Sequence, residues 1–212
     1  MKLPGLTEVH VHLRVPGGEH KEDYLTGTQA ALAGGFTRLM AMPNTNPPLV
    51  TLKEWDIAQK LANDQSLCDV FLYAGGSSEH LDQLPLLGQA APALKLYLDQ
   101  TYGPLRVQGL AALEQIFATW PKNKPLCCHA EEESLAAIIG LATLYQRGVH
   151  ICHVARKSEV ELIARAKAQG VKITCEVTPH HLFLNQEDGK RLGSLGDIRP
   201  VLQPQQDVDA LW

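Results

Sequence analysis

Val9-His10-Val11-His12-Leu13-Arg14 closes an apolar run near the N-terminus and decides how the rest of the chain is read. Alternate side chains of a β-strand share a face, so His10 and His12 point the same way. Two imidazoles on one face at a strand end can reach one metal ion. Arg14 follows at the same spacing and sets a fixed cation beside them. The combination suggests a metal hydrolase acting on an anionic substrate. A strand with two half-buried histidines would explain the same residues, because an H-x-H pair alone is weakly specific. The residues downstream make the choice.

The 212 residues are 45% hydrophobic and 20% charged, with a net charge of −4. That is a globular composition able to bury one sizeable core. The slightly acidic balance points to neither nucleic acid nor a membrane surface as partner. No apolar run approaches the ~20 residues of a membrane span. Met1-Lys2-Leu3-Pro4-Gly5 lacks the apolar core of a signal peptide. The five cysteines, Cys68, Cys127, Cys128, Cys152 and Cys175, are an odd number without a C-x-x-C. They are expected as reduced thiols in a cytoplasmic protein.

Short β-rich runs alternate with helical ones. Strands are predicted at Leu6–His12, Phe36–Met42, Asp69–Ala74, Ala93–Leu98, Pro125–His129, Val149–Val154 and Val171–Val177. Helices are predicted at Thr26–Ala33, Leu52–Asn63, Val107–Trp120, Glu131–Gln146 and Ser158–Gln169, with a short one within Glu79–Ala91 and another starting at Gln205. Thr26 and Ser158 read as N-caps, and Gly34, Gly148 and Gly170 as C-terminal stops. Strands apolar on both faces fit a parallel sheet covered by helices.

Repeated βα units mean an open doubly wound sheet or a (β/α)8 barrel. The strand ends carry His10 and His12, Asn44, Lys95, His129, His153 and Glu176. Catalytic groups gather in that way at the C-terminal face of a TIM barrel. A nucleotide-binding sheet would instead need a glycine-rich phosphate loop, and Gly17-Gly18 is not one. The expected fold is α/β, a TIM-type (β/α)8 barrel, with residues 1–212 forming one partial domain that holds strands 1–7. Ala210-Leu211-Trp212 ends inside an amphipathic run, so the eighth strand is expected to be missing.

Four histidines, His10, His12, His129 and His153, sit at strand ends, and neutral imidazole is a common zinc ligand. Lys95 lies in the apolar run Ala93–Leu98. A lysine there is costly unless it snorkels, is paired or is modified. Its amine can react with CO2 to give a carbamate whose two oxygens bridge two cations; a lysine held in a salt bridge is the plainer alternative. Cys152 adjoins His153, and an ideal strand would point the two to opposite faces, which favours a buried structural cysteine. Glu131, Glu132 and Glu133 read as helix-start carboxylates, and Trp55 and Trp120 as core packing. His180 and His181 read as loop histidines. His20, His80 and His150 carry no signal.

His10-Val11-His12-Leu13-Arg14, Met42-Pro43-Asn44-Thr45, Leu94-Lys95-Leu96-Tyr97-Leu98, His129-Ala130-Glu131, Ile151-Cys152-His153-Val154-Ala155 and Cys175-Glu176-Val177-Thr178-Pro179-His180-His181-Leu182 follow one another along the chain. In this order the sequence resembles the metal-dependent amidohydrolase superfamily. Within it the chain is similar to the dihydroorotases, and most to the dihydroorotase domain of animal multifunctional pyrimidine-synthesis proteins.

The resemblance implies one zinc on His10 and His12, a second on His129 and His153, and a carboxylated Lys95 bridging them. Cys152 and Glu176 offer ligands for a third zinc. Arg14 and Asn44 would bind the substrate carboxylate, with Thr101 and Tyr102 of the mobile loop Asp99-Gln100-Thr101-Tyr102-Gly103 touching the ligand and Arg199 close to it. The implied reaction is the reversible cyclisation of N-carbamoyl-L-aspartate to L-dihydroorotate in pyrimidine (UMP) biosynthesis. It would be carried out by a homodimer, within a larger polyprotein or alone.

The chain departs from the pattern in three places. The family's acid/base aspartate, in a D-H-A-P-H motif on the eighth strand, falls beyond Trp212, so no catalytic acid/base is expected among these residues and the fragment is expected to be inactive. Glu8 stands where the family has Asp, and Val15 where the animal domains have Glu. The alternatives are an inactive dihydroorotase-like scaffold for a partner such as aspartate carbamoyltransferase, and a cyclic amidohydrolase of the hydantoinase or allantoinase type. Arg14 and Asn44 favour a substrate with a free carboxylate.

Overall fold

The alternation of β-rich and helical runs folds as parallel βα units. The structure, a computed structural model, describes residues 3–212, so Met1 and Lys2 lie outside it. Two units divide the chain: Met1–Leu96 with Tyr102–Lys124, and Tyr97–Thr101 with Pro125–Trp212.

The first unit runs through β1 (Leu6–Val11), α1 (Tyr24–Ala33), β2 (Phe36–Ala41), α2 (Leu52–Gln65), β3 (Asp69–Leu72), β4 (Ala74–Gly75), α3 (Leu84–Ala90), β5 (Leu94–Tyr97) and α4 (Leu110–Thr119). β5 ends on Tyr97, already part of the second unit. Strands β1, β2 and β3 pair in parallel in that order. β4 pairs with β5 through Ala74↔Leu94 and Gly75↔Lys95.

The single strand expected at Asp69–Ala74 is therefore broken in two. Tyr73 N donates to Ala41 O at 3.0 Å, whereas Ala74 N donates to Ala93 O at 3.0 Å, so one run serves two neighbours in turn. On α2, Trp55, Ala58 and Ala62 form the buried stripe expected at helical spacing. The Trp55 indole N–H also donates to Leu72 O at 3.2 Å.

α1 starts two residues before the expected Thr26. Asp23 is the N-cap: its carboxylate accepts from Thr26 N at 2.7 Å, and Thr26 supplies the reciprocal hydroxyl. α4 starts at Leu110 rather than Val107, directly after Gly109 at φ 85°.

The second unit continues with β6 (Leu126–His129), α5 (Glu132–Leu144), β7 (Val149–Ile151), α6 (Lys157–Ala168), β8 (Ile173–Cys175), α7 (Pro179–Phe183), α8 (Gln186–Leu192) and α9 (Gln205–Leu211). Strands β6, β7 and β8 pair in parallel, with Leu126 opposite Val149 and Val149 opposite Ile173. Leu126, Cys128, Leu135, Ile138, Ile151 and Ile163 are its buried core.

α6 begins at Lys157 with Arg156, not Ser158, in the N-cap position; Glu159 accepts from Arg156 N at 3.1 Å. α5 stops at Leu144, and Gln146 at φ 50° makes the reversal expected of Gly148. Gly170, at φ 82°, follows α6 as expected. The short α7 and α8 escape the sequence reading because each is too short to show a period. They rest on caps: Thr178 accepts from His181 N, and Asn185 from Glu187 N and Asp188 N.

Burial on both faces holds for β5 and β6. It fails for β1, where Leu6 and Val9 are exposed, and for β3, where Phe71 is exposed. β1 is an edge among the described strands. No disulfide joins the five cysteines; Cys127, Cys128 and Cys152 are buried and Cys175 is exposed. Among the described residues no helix is long and apolar enough to cross a membrane.

Candidate metal centre

In the first unit β1 ends at Val11, which puts His12 one residue past the strand. The rings of His10 and His12 still converge, with centroids 5.6 Å apart. Pairing with β2 shifts between Glu8 and Val11, and such an irregularity re-aims side chains. Glu8, the residue that departs from the family, accepts from His10 N at 2.8 Å. Its longer side chain thus folds back to fix the first histidine.

His12 is pushed down to about 3. Burial is the largest cause, the charges of Arg14, His10 and Lys95 add to it, and a hydrogen bond with Asn44 opposes it. A neutral imidazole is the form that binds a metal. His12 Nδ1 is buried and finds no hydrogen-bond partner among the described residues, an orphaned donor atom that a metal ion would satisfy. Lys95 is wholly buried in β5. Arg14 holds φ 61°, a left-handed conformation that costs a non-glycine residue energy. His10, Arg14, Asn44 and Lys95 all act on His12 within this unit, Asn44 through a hydrogen bond.

In the second unit His129 closes β6 and His153 lies two residues beyond β7, both buried. His129 Nδ1 and His153 Nε2 are 3.1 Å apart. Two ring nitrogens this close can share a proton or, both deprotonated, one cation. His153 sits at φ 40°. Since β7 ends at Ile151, strand alternation does not reach Cys152 and His153, and the argument that they must face opposite ways fails. Cys152 Sγ and a Glu176 carboxylate oxygen lie within 4.8 Å of one another.

The remaining expected residues belong to both units. Thr101 is half-buried in the second unit; Tyr102, in the first, is 64% exposed. Arg199 is held by Asp197 Oδ1 at 2.7 Å and its neighbour's carbonyl, Ile198 O, at 2.8 Å. Asp99, at the start of the expected mobile loop, is anchored: its Oδ2 accepts from Glu131 N at 2.9 Å and Ser134 Oγ at 2.6 Å.

Sequence reasoning missed Glu131 and His150. Glu131 is not a plain helix-start carboxylate, because it shares a hydrogen bond of 3.0 Å with His129 Nε2 and accepts from Arg156 Nη1 at 2.8 Å. Burial tends to raise its pKa, but the bonds from His129 and Arg156 outweigh it and hold the group at about 2. The two-residue spacing of His129-Ala130-Glu131 was the available signal. His150 joins Thr174 Oγ1 at 2.9 Å and Glu176 Oε2 at 3.2 Å, which steadies a candidate ligand.

Residues 1–82 match the family model described as dihydro-orotase-like. Over that stretch the chain is similar to dihydroorotase-like proteins. The chain is 51% identical over 213 positions to the multifunctional protein CAD of Squalus acanthias, covering all of this chain and 10% of that protein. It is 34% identical over 238 positions to the dihydroorotase of Caldanaerobacter subterraneus subsp. tengcongensis, covering 99% of this chain and 55% of that enzyme. It thus spans a tenth of one relative and about half of the other.

Among solved structures, L-hydantoinase (dihydropyrimidinase) from Arthrobacter aurescens superposes with a TM-score of 0.89 at 22% identity, covering 99% of this chain and 54% of the hydantoinase. The inactive dihydroorotase-like domain of the Chaetomium thermophilum CAD-like multifunctional protein gives 0.83 at 28% identity, covering 99% and 60%. The hydantoinase likeness shows the fold alone, an α/β, TIM-type barrel of which this chain covers part.

Proposed function

We propose that the chain carries the metal-holding part of a cyclic amidohydrolase and that its reaction is the dihydroorotase one: reversible cyclisation of N-carbamoyl-L-aspartate to L-dihydroorotate, with loss of water. The observation that carries this reading is Arg14, held in a left-handed conformation close enough to His12 for its charge to depress that imidazole. A guanidinium near a neutral candidate metal ligand suits a substrate that bears a free carboxylate next to its scissile amide.

The proposed ligands are His10 and His12 for one zinc and His129 and His153 for another, with Lys95 as a carbamate that would supply a further anionic ligand. Cys152 and Glu176 are proposed for a third ion. The ions, when bound, supply Lewis acidity to the amide carbonyl and lower the pKa of water. Arg14 grips the carboxylate through parallel N–H···O bonds. Asn44 presents its amide to the same group while steadying His12. Thr101, Tyr102 and Arg199 are proposed to complete the substrate contacts. The chain is further proposed to act in the cytoplasm as a homodimer, within a larger multifunctional protein; 51% identity to one such protein supports that setting.

A hydantoinase-type reaction is the second reading, favoured by the fold likeness to L-hydantoinase. Scaffolding is the third, favoured by the likeness to a domain named inactive. One experiment separates them: the full-length, zinc-loaded protein is offered dihydroorotate, dihydrouracil and hydantoin. Turnover of dihydroorotate with none of the others supports the proposal. Turnover of the carboxylate-free rings alone overturns it in favour of the second reading, and no turnover of any ring favours the third.

A further inference from the structure

We infer that Glu131, Arg156 and Glu159 form a positioning chain that orients the imidazoles of His129 and His153 toward a shared metal ion; the inference rests on the metal reading above. Glu131 divides its two oxygens: Oε1 meets His129 Nε2 at 3.0 Å, and Oε2 accepts from Arg156 Nη1 at 2.8 Å. The same Nη1 donates to Glu159 Oε1 at 3.2 Å. Glu159 is 2% exposed. Its Oε2 accepts from Ala155 N and Arg156 N, both at 3.1 Å, and its Oε1 from Glu132 N at 3.2 Å.

Those amides belong to two different turns. Glu132 follows His129 by three positions, and Ala155 and Arg156 follow His153 by two and three. One buried carboxylate thus pins the turn after β6 to the turn after β7. Capping α6 alone would use a single oxygen. Both turns are strained, with Glu132 at φ 45° and His153 at φ 40°, and such conformations persist only where surrounding bonds hold them. Occupying His129 Nε2 with a carboxylate leaves Nδ1 for His153 and for a cation, the arrangement by which a supporting carboxylate selects a tautomer and raises ligand basicity. The three side chains sum to one negative charge, which also favours a cation beside them.

The test uses full-length protein stripped of metal and titrated with cobalt(II), read by its visible absorption. Glu131→Gln and Glu159→Gln keep side-chain volume and are expected to weaken binding by about 10- to 100-fold and to alter the cobalt spectrum. Glu133→Gln, an exposed carboxylate on the same helix turn, is expected to match the native protein. Native affinity and spectrum in both variants overturn the inference. A native protein that takes up no cobalt overturns the metal reading itself, a distinct outcome. If circular dichroism shows either Gln variant unfolded, Arg156→Lys decides by the same measurements, since it keeps the charge and loses the fork.

Discussion

Acidification is expected to weaken the protein through His181, a residue that reads as an ordinary loop histidine. His181 is 2% exposed. Nδ1 meets Thr178 Oγ1 at 2.7 Å and Nε2 meets Pro200 O at 3.0 Å, so the neutral ring is fully bonded. Burial, chiefly, pushes its pKa down from 6.5 to about 4, with the Pro200 carbonyl opposing and His180 adding to the fall. Between those values the unfolded chain takes up a proton that the folded chain refuses. The stability tied to this group is therefore full above 6.5, falls through the window and is constant below about 4.

A gap of this size corresponds to about 3 kcal/mol over the whole window, and about 2 kcal/mol is lost by about pH 5. Urea unfolding of the native protein and of His181→Leu, at about pH 7.5 and about pH 5, isolates the effect. The variant is expected to be weaker at about pH 7.5 by about 1–3 kcal/mol, because two polar partners lose their bond. It is also expected to lose about 2 kcal/mol less than the native protein on acidification. His12 titrates in both proteins and cancels in the double difference. Equal acid losses in the two proteins refute the assignment.

Gly17→Ala is expected to cost at least about 2 kcal/mol in urea unfolding, because Gly17 lies at φ 87° and an added Cβ would stand 2.2 Å from Asn46 O; an unchanged midpoint would contradict that. Trp55→Phe is expected to lower thermal stability by about 1–2 kcal/mol, since it strips the Leu72 carbonyl of its indole donor. Lys95→Met is expected to leave the apoprotein folded, because an apolar chain of similar volume fills the same buried position. It should also lose, on dialysis, zinc that the native protein retains, as counted by elemental analysis; full retention would remove Lys95 from the ligand set.

The fold class is legible in the sequence because apolar runs of strand length end in polar groups, and each run with its helix is a local matter. The details that escape depend on partners far along the chain. Nothing within Asp69–Ala74 says that Tyr73 will pair with Ala41 and Ala74 with Ala93. Thr26 is an acceptable cap, but Asp23 offers a stronger acceptor at the position where the chain turns. Likewise the histidines and Lys95 announce themselves by type and spacing, whereas Glu159 does not. Its bond to Glu132 N spans 27 positions, and a glutamate three residues into a helix looks like any other. Asn44 reads as a substrate contact, and only the folded chain ties it to His12.

The uneven exposure of the thiols has a practical consequence. Cys175 alone among the five faces solvent, so a maleimide dye would mark β8 without any engineered cysteine. The label would sit one residue before Glu176, an optical reporter beside a proposed ligand. Cys68, half-buried and with its thiol pushed up by burial and Asp69, would react later. Cys127, Cys128 and Cys152 would stay silent until the chain opens, so the order in which thiols become reactive is also a clock for unfolding.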